Sequence, residues 1–281
     1  MTTRSRTTFR ALTLNVHEWR SAHGEANHEN VADLLLRVDP DVIALQEVTL
    51  DDAWEEFRRL TCRKRWHSTE ARADYGLWNV LLTRSKPTET ESIQLEVDPH
   101  AERRSAAIAT VRSPWGLISV ASVHLGYQDE ETRLRQLQRL CGSLATRGEE
   151  FIVMGDLNAL RRADYTLARW RSIQVARERT GLEPAENDVA RMVDDLGWVD
   201  LARLYDARSS LAEYARRLSC PIGDELSRTS AHGTRVDYLL ATRGLAAEMQ
   251  DVLCGLSGDG NSDHEAVAVS ASSVRPRRCR R

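Results

Sequence analysis

Apolar positions recur along this chain with two spacings, one typical of strands and the other typical of helices. Alternate apolar residues over 10–16 predict a strand, whereas apolar residues at steps of three and four over 30–38 predict a helix. Asp39 and Pro40 end that helix, because the residue before a proline disfavours helical backbone. The apolar run 42–45 follows as a second strand. The amino-terminal part of the chain is therefore predicted to form a strand, helix, strand unit.

The same two spacings continue along the rest of the chain. Further strands, rich in β-branched residues, are predicted over residues 77–82, 106–111, 117–123, 151–154, 235–241 and 265–270. Further helices are predicted over residues 51–60, 130–145, 167–179 and 185–196, and an Arg- and Ser-rich loop is expected up to His232. No repeat or linker divides the chain, so we expect one α/β domain over residues 9–271, a flexible segment 1–8 and a basic tail 272–281.

The composition is that of a folded, water-soluble protein. Of the 281 residues, 41% are hydrophobic and 29% are charged, which excludes the collagen-like, disordered and disulfide-scaffold classes. The five cysteines are widely spaced and form no CxxC pair, so neither a zinc ribbon nor a disulfide framework is indicated. The amino terminus lacks a signal-peptide pattern, and no window is apolar enough to span a bilayer. A reducing, cytoplasmic location is the expectation.

Charge is distributed unevenly along the chain. The 39 Lys and Arg residues against 42 Asp and Glu residues give a net charge of −3, yet five arginines stand in the last seven residues. The rest of the chain is therefore more acidic than the net charge suggests. An acidic body does not hold a polyanion by bulk charge, so a phosphate substrate requires a local site or a bound metal. The basic tail is expected to be a solvated appendage, with nucleic acid or an anionic membrane as the alternative partner.

Polar residues interrupt or follow several of the predicted apolar strands. They are Asn15, Glu47, His124, Asp156, Asn158, Asp237, Asp263 and His264. The strand ends of one sheet assembly meet along a common edge, so these residues are predicted to share one pocket although they are scattered along the sequence. Scattered polar groups that converge in this way are typical of an active site.

Short segments around these residues carry a family resemblance. The segments are DVIALQE (41–47), SVHL (122–125), VMGDLN (153–158), RVDYL (235–239) and SDH (262–264). Together with Asn15, and in this order, they resemble the endonuclease/exonuclease/phosphatase superfamily of metal-dependent phosphoesterases, which includes DNase I-like and exonuclease III-like enzymes. The resemblance extends over about residues 12–269. It implies an α/β four-layer sandwich, in which two mixed β-sheets pack face to face and helices flank them.

The resemblance also implies a divalent metal. Hydrolysis of an anionic phosphodiester requires charge neutralisation, an activated nucleophile and assistance to the leaving oxygen. Glu47 offers a carboxylate that suits Mg²⁺, with Mn²⁺ as a substitute, and Asn15 and Asp263 are expected to complete the metal site. Asp156 is expected to orient or deprotonate the attacking water, and Asn158 offers an amide to a phosphate oxygen.

Two histidines are candidates for proton transfer, and which is the acid and which is the base stays open. His264 is expected to contact the scissile phosphate or take a proton, with Asp237 as the carboxylate that orients its imidazole. His124 is expected to contact the substrate and assist the leaving group, with Glu102 as the residue that steers it.

The residues leave the substrate open within the phosphoester class. A nucleic acid or nucleotide is the favoured substrate, a lipid or small-molecule phosphoester is the enzymatic alternative, and a non-catalytic binding module is the alternative from another class. Residues 159–160 and 235–238 depart from the inositol phosphatase signatures and argue against that branch. His17, His23 and His28 lack the spacing of a zinc site and are interpreted as loop histidines.

Overall fold

The fold consists of two six-stranded β-sheets with helices on their outer faces. The structure is a computed structural model that describes residues 6–96, 102–148, 150–208, 229–230, 233–257 and 262–274. The strands of the first sheet, in spatial order, are β11 (Gln250–Ser257), β12 (Ala266–Val274), β1 (Arg6–Asn15), β2 (Val42–Thr49), β4 (Leu77–Thr83) and β3 (His67–Arg72). The strands of the second sheet are β5 (Glu89–Gln94), β6 (Ser105–Ser113), β7 (Gly116–His124), β8 (Phe151–Asp156), β10 (Asp237–Thr242) and β9 (Trp198–Asp200).

Both sheets are mixed, and each contains one parallel pair at its centre. The parallel pairs are β1 with β2 and β7 with β8, whereas the other neighbouring strands run antiparallel. Parallel neighbours need a crossover connection, and α1 (His28–Val38) and α3 (Glu130–Ala145) provide it in the two sheets. The hydrogen bond between Asn15 at the end of β1 and Asp156 at the end of β8 shows that both parallel pairs end on the same side of the sandwich.

Successive side chains of a strand point to opposite faces of its sheet. The core therefore has three layers, one between the two sheets and one under the helices of each sheet. Small residues such as Ala44 and Ala107 face the space between the sheets, together with Val120 and Met154. Larger residues face outwards and pack under the helices. On the first sheet these helices are α1 and α2 (Asp52–Thr61), and on the second they are α3 and α5 (Asp188–Asp195). The predicted four-layer sandwich is thus confirmed.

Helix boundaries follow local capping chemistry. The Asp51 side chain accepts hydrogen bonds from the first amides of α2, and Asp129 accepts one from Thr132 at the start of α3. The predicted helix over 130–145 agrees with α3 at both ends. The remaining described helices are α4 (Leu167–Thr180), α6 (Leu201–Arg208) and α7 (Arg243–Glu248). None of the described helices is both long and apolar enough to cross a membrane.

The strands missing from the sequence prediction are the four outermost ones. β11 and β3 border the first sheet, and β5 and β9 border the second. The two strands at the termini are also longer than predicted, because Arg6 pairs with Val274 beyond the expected limits of 9–271. Most of the predicted Arg- and Ser-rich loop, and the tail from residue 275, lie outside the described residues.

Gly155 allows β7 and β8 to approach each other beside the strand ends. Its φ is +147°, and a Cβ atom added to it would lie 1.8 Å from the Val123 carbonyl oxygen. The next residue in the same register, Asp156, pairs with His124. A glycine is therefore required here both by the backbone conformation and by the space.

We expect Gly155→Ala to destabilise the protein by about 3 kcal/mol or more, since strain at a positive φ and steric overlap add up. Urea denaturation followed by far-ultraviolet circular dichroism measures the change. Gly142→Ala is the matched control. Gly142 is exposed on α3 with nothing within 4 Å of the position that an added methyl group would take, so alanine should stabilise by about 0.5–1 kcal/mol. An unchanged unfolding midpoint for Gly155→Ala would contradict the close approach.

Candidate active site

The polar residues singled out in the sequence converge at one end of the sandwich. A cavity of about 410 Å³ is lined by Glu47, His124, Asp156, Asn158, Asp263 and His264. Asn15 and Asp237 complete the group by direct hydrogen bonds to these residues. The structure thus brings together the eight residues that follow or interrupt the predicted strands.

Asn15 links the two sheets at this end. Its Nδ2 donates to Glu47 Oε1 at 2.9 Å and to Asp156 Oδ2 at 3.3 Å, and its Oδ1 accepts from the His17 amide at 3.0 Å. Glu47 lies at a register shift in the pairing of β2 with β4 and has a φ of +54°. A bulge of this kind re-aims a side chain at a strand end. Asn15 therefore holds two carboxylates, one from each sheet.

His264 and Asp237 form a short hydrogen-bonded pair. His264 Nδ1 donates to Asp237 Oδ2 at 2.8 Å, and its Nε2 lies 3.8 Å from Asp156 Oδ2. Burial opposes the charged imidazole, but the charge and hydrogen bond of Asp237 outweigh it, so the pKa of His264 is raised to about 10. His264 is consequently an imidazolium over the neutral pH range.

Asp156 lies between the carboxylates of the site. Its Oδ1 accepts the Asn158 backbone amide at 2.8 Å, and Asn158 itself has a φ of +49°. Burial and the neighbouring Asp237 charge raise the pKa of Asp156 to about 7. This carboxyl group is therefore placed to exchange a proton near neutral pH.

His124 has a hydrogen-bond donor close to each ring nitrogen, while the carboxylates of Asp156 and Glu47 lie farther from its Nε2, at 3.6 and 3.9 Å. Arg104 Nη1 donates to His124 Nδ1 at 3.0 Å, and Asn158 Nδ2 lies 3.1 Å from Nε2. An imidazolium carries hydrogen on both nitrogens and needs acceptors at both, so this arrangement favours the neutral ring. Burial, the Arg104 charge and the His264 charge hold the pKa of His124 well below its ordinary value. The pKa shifts of the two histidines thus run in opposite directions, so that the imidazolium is favoured for His264 and the neutral ring for His124.

Arg104 separates Glu102 from the histidine that Glu102 was expected to steer. Its Nη2 donates to Glu102 Oε1 at 2.8 Å, and its Nη1 makes the contact to His124. Glu102 therefore acts on His124 through an arginine. Residues 102–104 directly precede β6, and Glu102 and Arg104 are buried there whereas Arg103 is exposed and pairs with Asp74.

The acidic groups of the site fit a hard divalent cation. Glu47, Asp156, Asp237 and Asp263 all contribute carboxylate oxygens, and Asp237 Oδ1 is buried without a hydrogen-bond partner among the described residues. Ligand atoms of Asp156, Asp237 and His264 also lie within 4.8 Å of one another. Oxygen donors at this density suit Mg²⁺ or Mn²⁺ better than softer metals.

One loop histidine also reaches the carboxylates. His17 Nδ1 lies 3.5 Å from Glu47 Oε2 and 3.6 Å from Asp263 Oδ1. His17 and the two residues after it all have positive φ values. The turn after β1 is thus wound tightly enough to return His17 to the site.

The sequence profile of the endonuclease/exonuclease/phosphatase family matches residues 12–264. The chain belongs to this family. Its members are phosphoesterases that generally depend on divalent metals, and the resemblance seen in the sequence is thereby confirmed. No curated protein sequence matches the chain.

Solved structures share the fold at low sequence identity. An endonuclease/exonuclease/phosphatase from Beutenbergia cavernae is 19% identical with a TM-score of 0.65, over 95% of this chain and 72% of that one. The mannosyl-6-phosphatase Bt3783 of Bacteroides thetaiotaomicron is 11% identical with a TM-score of 0.63, over 93% and 98%. Truncated TDP2 of Caenorhabditis elegans is 13% identical with a TM-score of 0.60, over 94% and 97%. These similarities show that the chain has the same fold as the three solved structures.

We expect the two histidines to respond in opposite directions when their partners are changed. Asp237→Asn should lower the pKa of His264, because the carboxylate that stabilises the imidazolium is gone. The double variant Arg104→Gln/Glu102→Gln should raise the pKa of His124, because it removes the Arg104 charge that repels the imidazolium. Glu102 loses its charge in the same variant, so the net charge of the protein is unchanged. Nuclear magnetic resonance titration of the imidazole C–H signals in metal-free protein measures both values.

The imidazole resonance of the exposed His67 on β3, compared at one pH in the three proteins, checks that both variants keep the wild-type fold. If His264 titrated identically in wild-type protein and in the Asp237→Asn variant, the charge states assigned to the site would be wrong.

Proposed function

We propose that the protein is a divalent-metal-dependent phosphodiester hydrolase that acts on a nucleic acid or nucleotide. The observation that supports this most directly is the convergence of four carboxylates, one imidazolium and one neutral imidazole at one end of the sandwich. Such a set can neutralise a phosphate, activate water and assist a leaving oxygen. The presence of the complete set also favours an enzyme over a non-catalytic binding module.

Glu47 and Asp263 would hold the metal, and Asn15 would position Glu47 through its amide. Bound there, Mg²⁺ or Mn²⁺ supplies positive charge to the phosphate oxygens and so stabilises charge that develops during hydrolysis. Magnesium takes few protein ligands and keeps several waters, which agrees with one or two carboxylates facing an open cavity. A cytoplasmic location, where magnesium is abundant, belongs to the same proposal.

Asp156 and His264 would share the proton transfers. Two neighbouring groups whose pKa values are pushed apart typically divide the roles of base and acid. The carboxylate of Asp156 would accept a proton from the attacking water, with the Asn158 amide binding a phosphate oxygen. The His264 imidazolium would face the scissile phosphate and stabilise its charge, while Asp237 keeps the ring oriented.

His124 would bind the substrate as a neutral ring. The donors around it disfavour the imidazolium that a proton donor to the leaving group requires. We therefore propose that His124 orients a phosphate oxygen or the leaving oxygen by hydrogen bonding. His264 would therefore be the acid that donates a proton to the leaving oxygen.

The metal assignment can be tested with Glu47→Gln, which removes the charge and keeps the shape. Hydrolysis of bis(p-nitrophenyl) phosphate should require Mg²⁺ or Mn²⁺ and stop in EDTA. In the variant, kcat/KM should fall about 100-fold or more, because the carboxylate that holds the metal is lost. A Mn²⁺ titration followed by electron paramagnetic resonance measures the loss of metal affinity independently of turnover.

Glu55→Gln is the matched control, since Glu55 is an exposed glutamate of α2 away from the cavity. Its activity and Mn²⁺ affinity should equal those of the wild type. Full activity of Glu47→Gln at sub-millimolar Mg²⁺ would remove Glu47 from the metal site.

The partnership of His264 and Asp237 can be tested by a double-mutant cycle. His264→Ala should lower kcat/KM by about 10²- to 10⁴-fold, the usual range for a positioned proton-transfer group. Asp237→Asn should cost less, and the double mutant should be little worse than His264→Ala, because an orienting carboxylate has no effect once its imidazole is gone. Losses that multiply strictly across the four proteins would mean that the residues act independently.

A further inference from the structure

The cavity extends beyond the catalytic residues to one face of α4. The residues of α4 that line it recur at steps of three and four, and they are Arg169, Ser172, Ile173, Ala176, Arg177 and Thr180. Tyr127 and Leu182 stand at the same cavity. Sequence reasoning assigned no function to any of these residues, and the proposed chemistry does not use them.

Two arginines of this wall are held in place by backbone carbonyls. Arg169 Nη2 donates to the Gly233 oxygen at 2.8 Å, and Arg177 Nε donates to the Glu183 oxygen at 2.7 Å. Neither guanidinium forms an ion pair with a carboxylate in the part of the chain that the structure describes. The carboxylates of Glu183, Glu130 and Glu186 lie near Arg177 without pairing with it directly, and Arg133 binds the first two of them.

Arginines elsewhere in the interior form ion pairs with carboxylates. Among the described residues, the four buried arginines each have a carboxylate partner, in the pairs Arg104–Glu102, Arg133–Glu130, Arg161–Asp194 and Arg235–Asp200, whereas Arg169 and Arg177 are half-buried. Removing a charge from water is unfavourable unless it is paired, so half-buried arginines that line a cavity and form no direct ion pair are suited to an anionic ligand. Guanidinium groups bind phosphate especially well, through paired N–H donors.

Apolar groups line the same cavity as the two arginines and the carboxylates. Ile173 and Val236 are buried at the cavity, whereas Tyr127 and Leu182 are 59% and 46% exposed. An exposed tyrosine and leucine beside a polar site are suited to stacking against a flat ring. The cavity therefore offers cationic and apolar groups to one ligand beside the catalytic residues.

We infer that Arg169 and Arg177 form a subsite for a second phosphate of the substrate, and that the preferred substrate is a nucleotide unit with a phosphate at each end. The inference rests on the proposed function for the identity of the reacting phosphoester. The carboxylate end of the cavity takes the scissile phosphate, the apolar wall takes the base or sugar, and the arginines take the other phosphate.

The test compares two chromogenic esters that differ only in the second phosphate. They are thymidine 5′-(p-nitrophenyl phosphate) and the same ester with a 3′-phosphate. Wild-type protein should prefer the second ester by about tenfold or more in kcat/KM, the usual worth of charged hydrogen bonds. Arg177→Gln and Arg169→Gln should each reduce this preference. Arg171→Gln, an exposed arginine on the outer face of α4, should keep it and controls for overall charge.

Binding without turnover separates this inference from the proposed function. In EDTA, isothermal titration calorimetry should show tighter binding of thymidine 3′,5′-bisphosphate than of thymidine 5′-phosphate to wild-type protein, and a smaller difference for Arg177→Gln. If neither ester is hydrolysed while this difference persists, the proposed hydrolase activity fails and the phosphate subsite stands. Equal affinities for the two nucleotides, or a difference unchanged in both arginine variants, would overturn the subsite.

A third ester distinguishes the source of the second phosphate. In it, the 3′-phosphate is linked to a second nucleoside, as in a nucleic acid strand. An equal preference for this ester would identify the ligand as the next phosphate of a strand, and loss of the preference would identify a free bisphosphorylated nucleotide. Both results require the arginine subsite.

Discussion

Repulsion among carboxylates is the constraint on which the construction of this site depends. Glu47, Asp156, Asp237 and Asp263 meet at one end of the sandwich, where burial makes each additional negative charge costly. The structure offsets part of this repulsion with the Asn15 amide and the His264 imidazolium. The raised pKa of Asp156 indicates that the compensation is incomplete. We propose that a divalent cation provides the remainder, so that the bound metal completes the electrostatics of the fold.

Buried ion pairs fix the segments that carry the catalytic groups. Arg235 lies between Asp164 and Asp200, at 2.9 and 2.7 Å, and its backbone amide donates to the Tyr165 hydroxyl at 2.7 Å. Such pairs contribute little net stability, because desolvation cancels much of their attraction. They do specify one arrangement, however, and Arg235 stands two residues before Asp237. The ion pairs of Arg235 thus help to fix the geometry of the Asp237–His264 pair, although Arg235 does not line the cavity.

Sequence patterns predicted the interior of this fold better than its borders. The inner strands are continuous apolar runs because both of their faces are covered, which makes them visible in sequence. The outermost strands, such as β5, alternate between exposed and half-buried residues and carry no comparable signal. The residues of the site could be predicted because they follow apolar strands, whereas Arg104 could not, since its role depends on a contact between distant segments. The cavity-lining face of α4 could not be predicted for the same reason, because only the folded chain brings that helix to the cavity.

The site also depends on the spacing between the two sheets. Asn15 belongs to the first sheet and Asp156 to the second, and Gln46 Nε2 donates across the same gap to Ser122 Oγ at 3.1 Å. Alanines such as Ala44 and Ala107 fill the space between the sheets and keep it narrow. Larger side chains there would push the sheets apart and lengthen the bridging hydrogen bonds, even in a protein that still folds. The inner alanines therefore act as a spacer, and the geometry of the site depends on the thickness of the core as well as on the polar residues at its end.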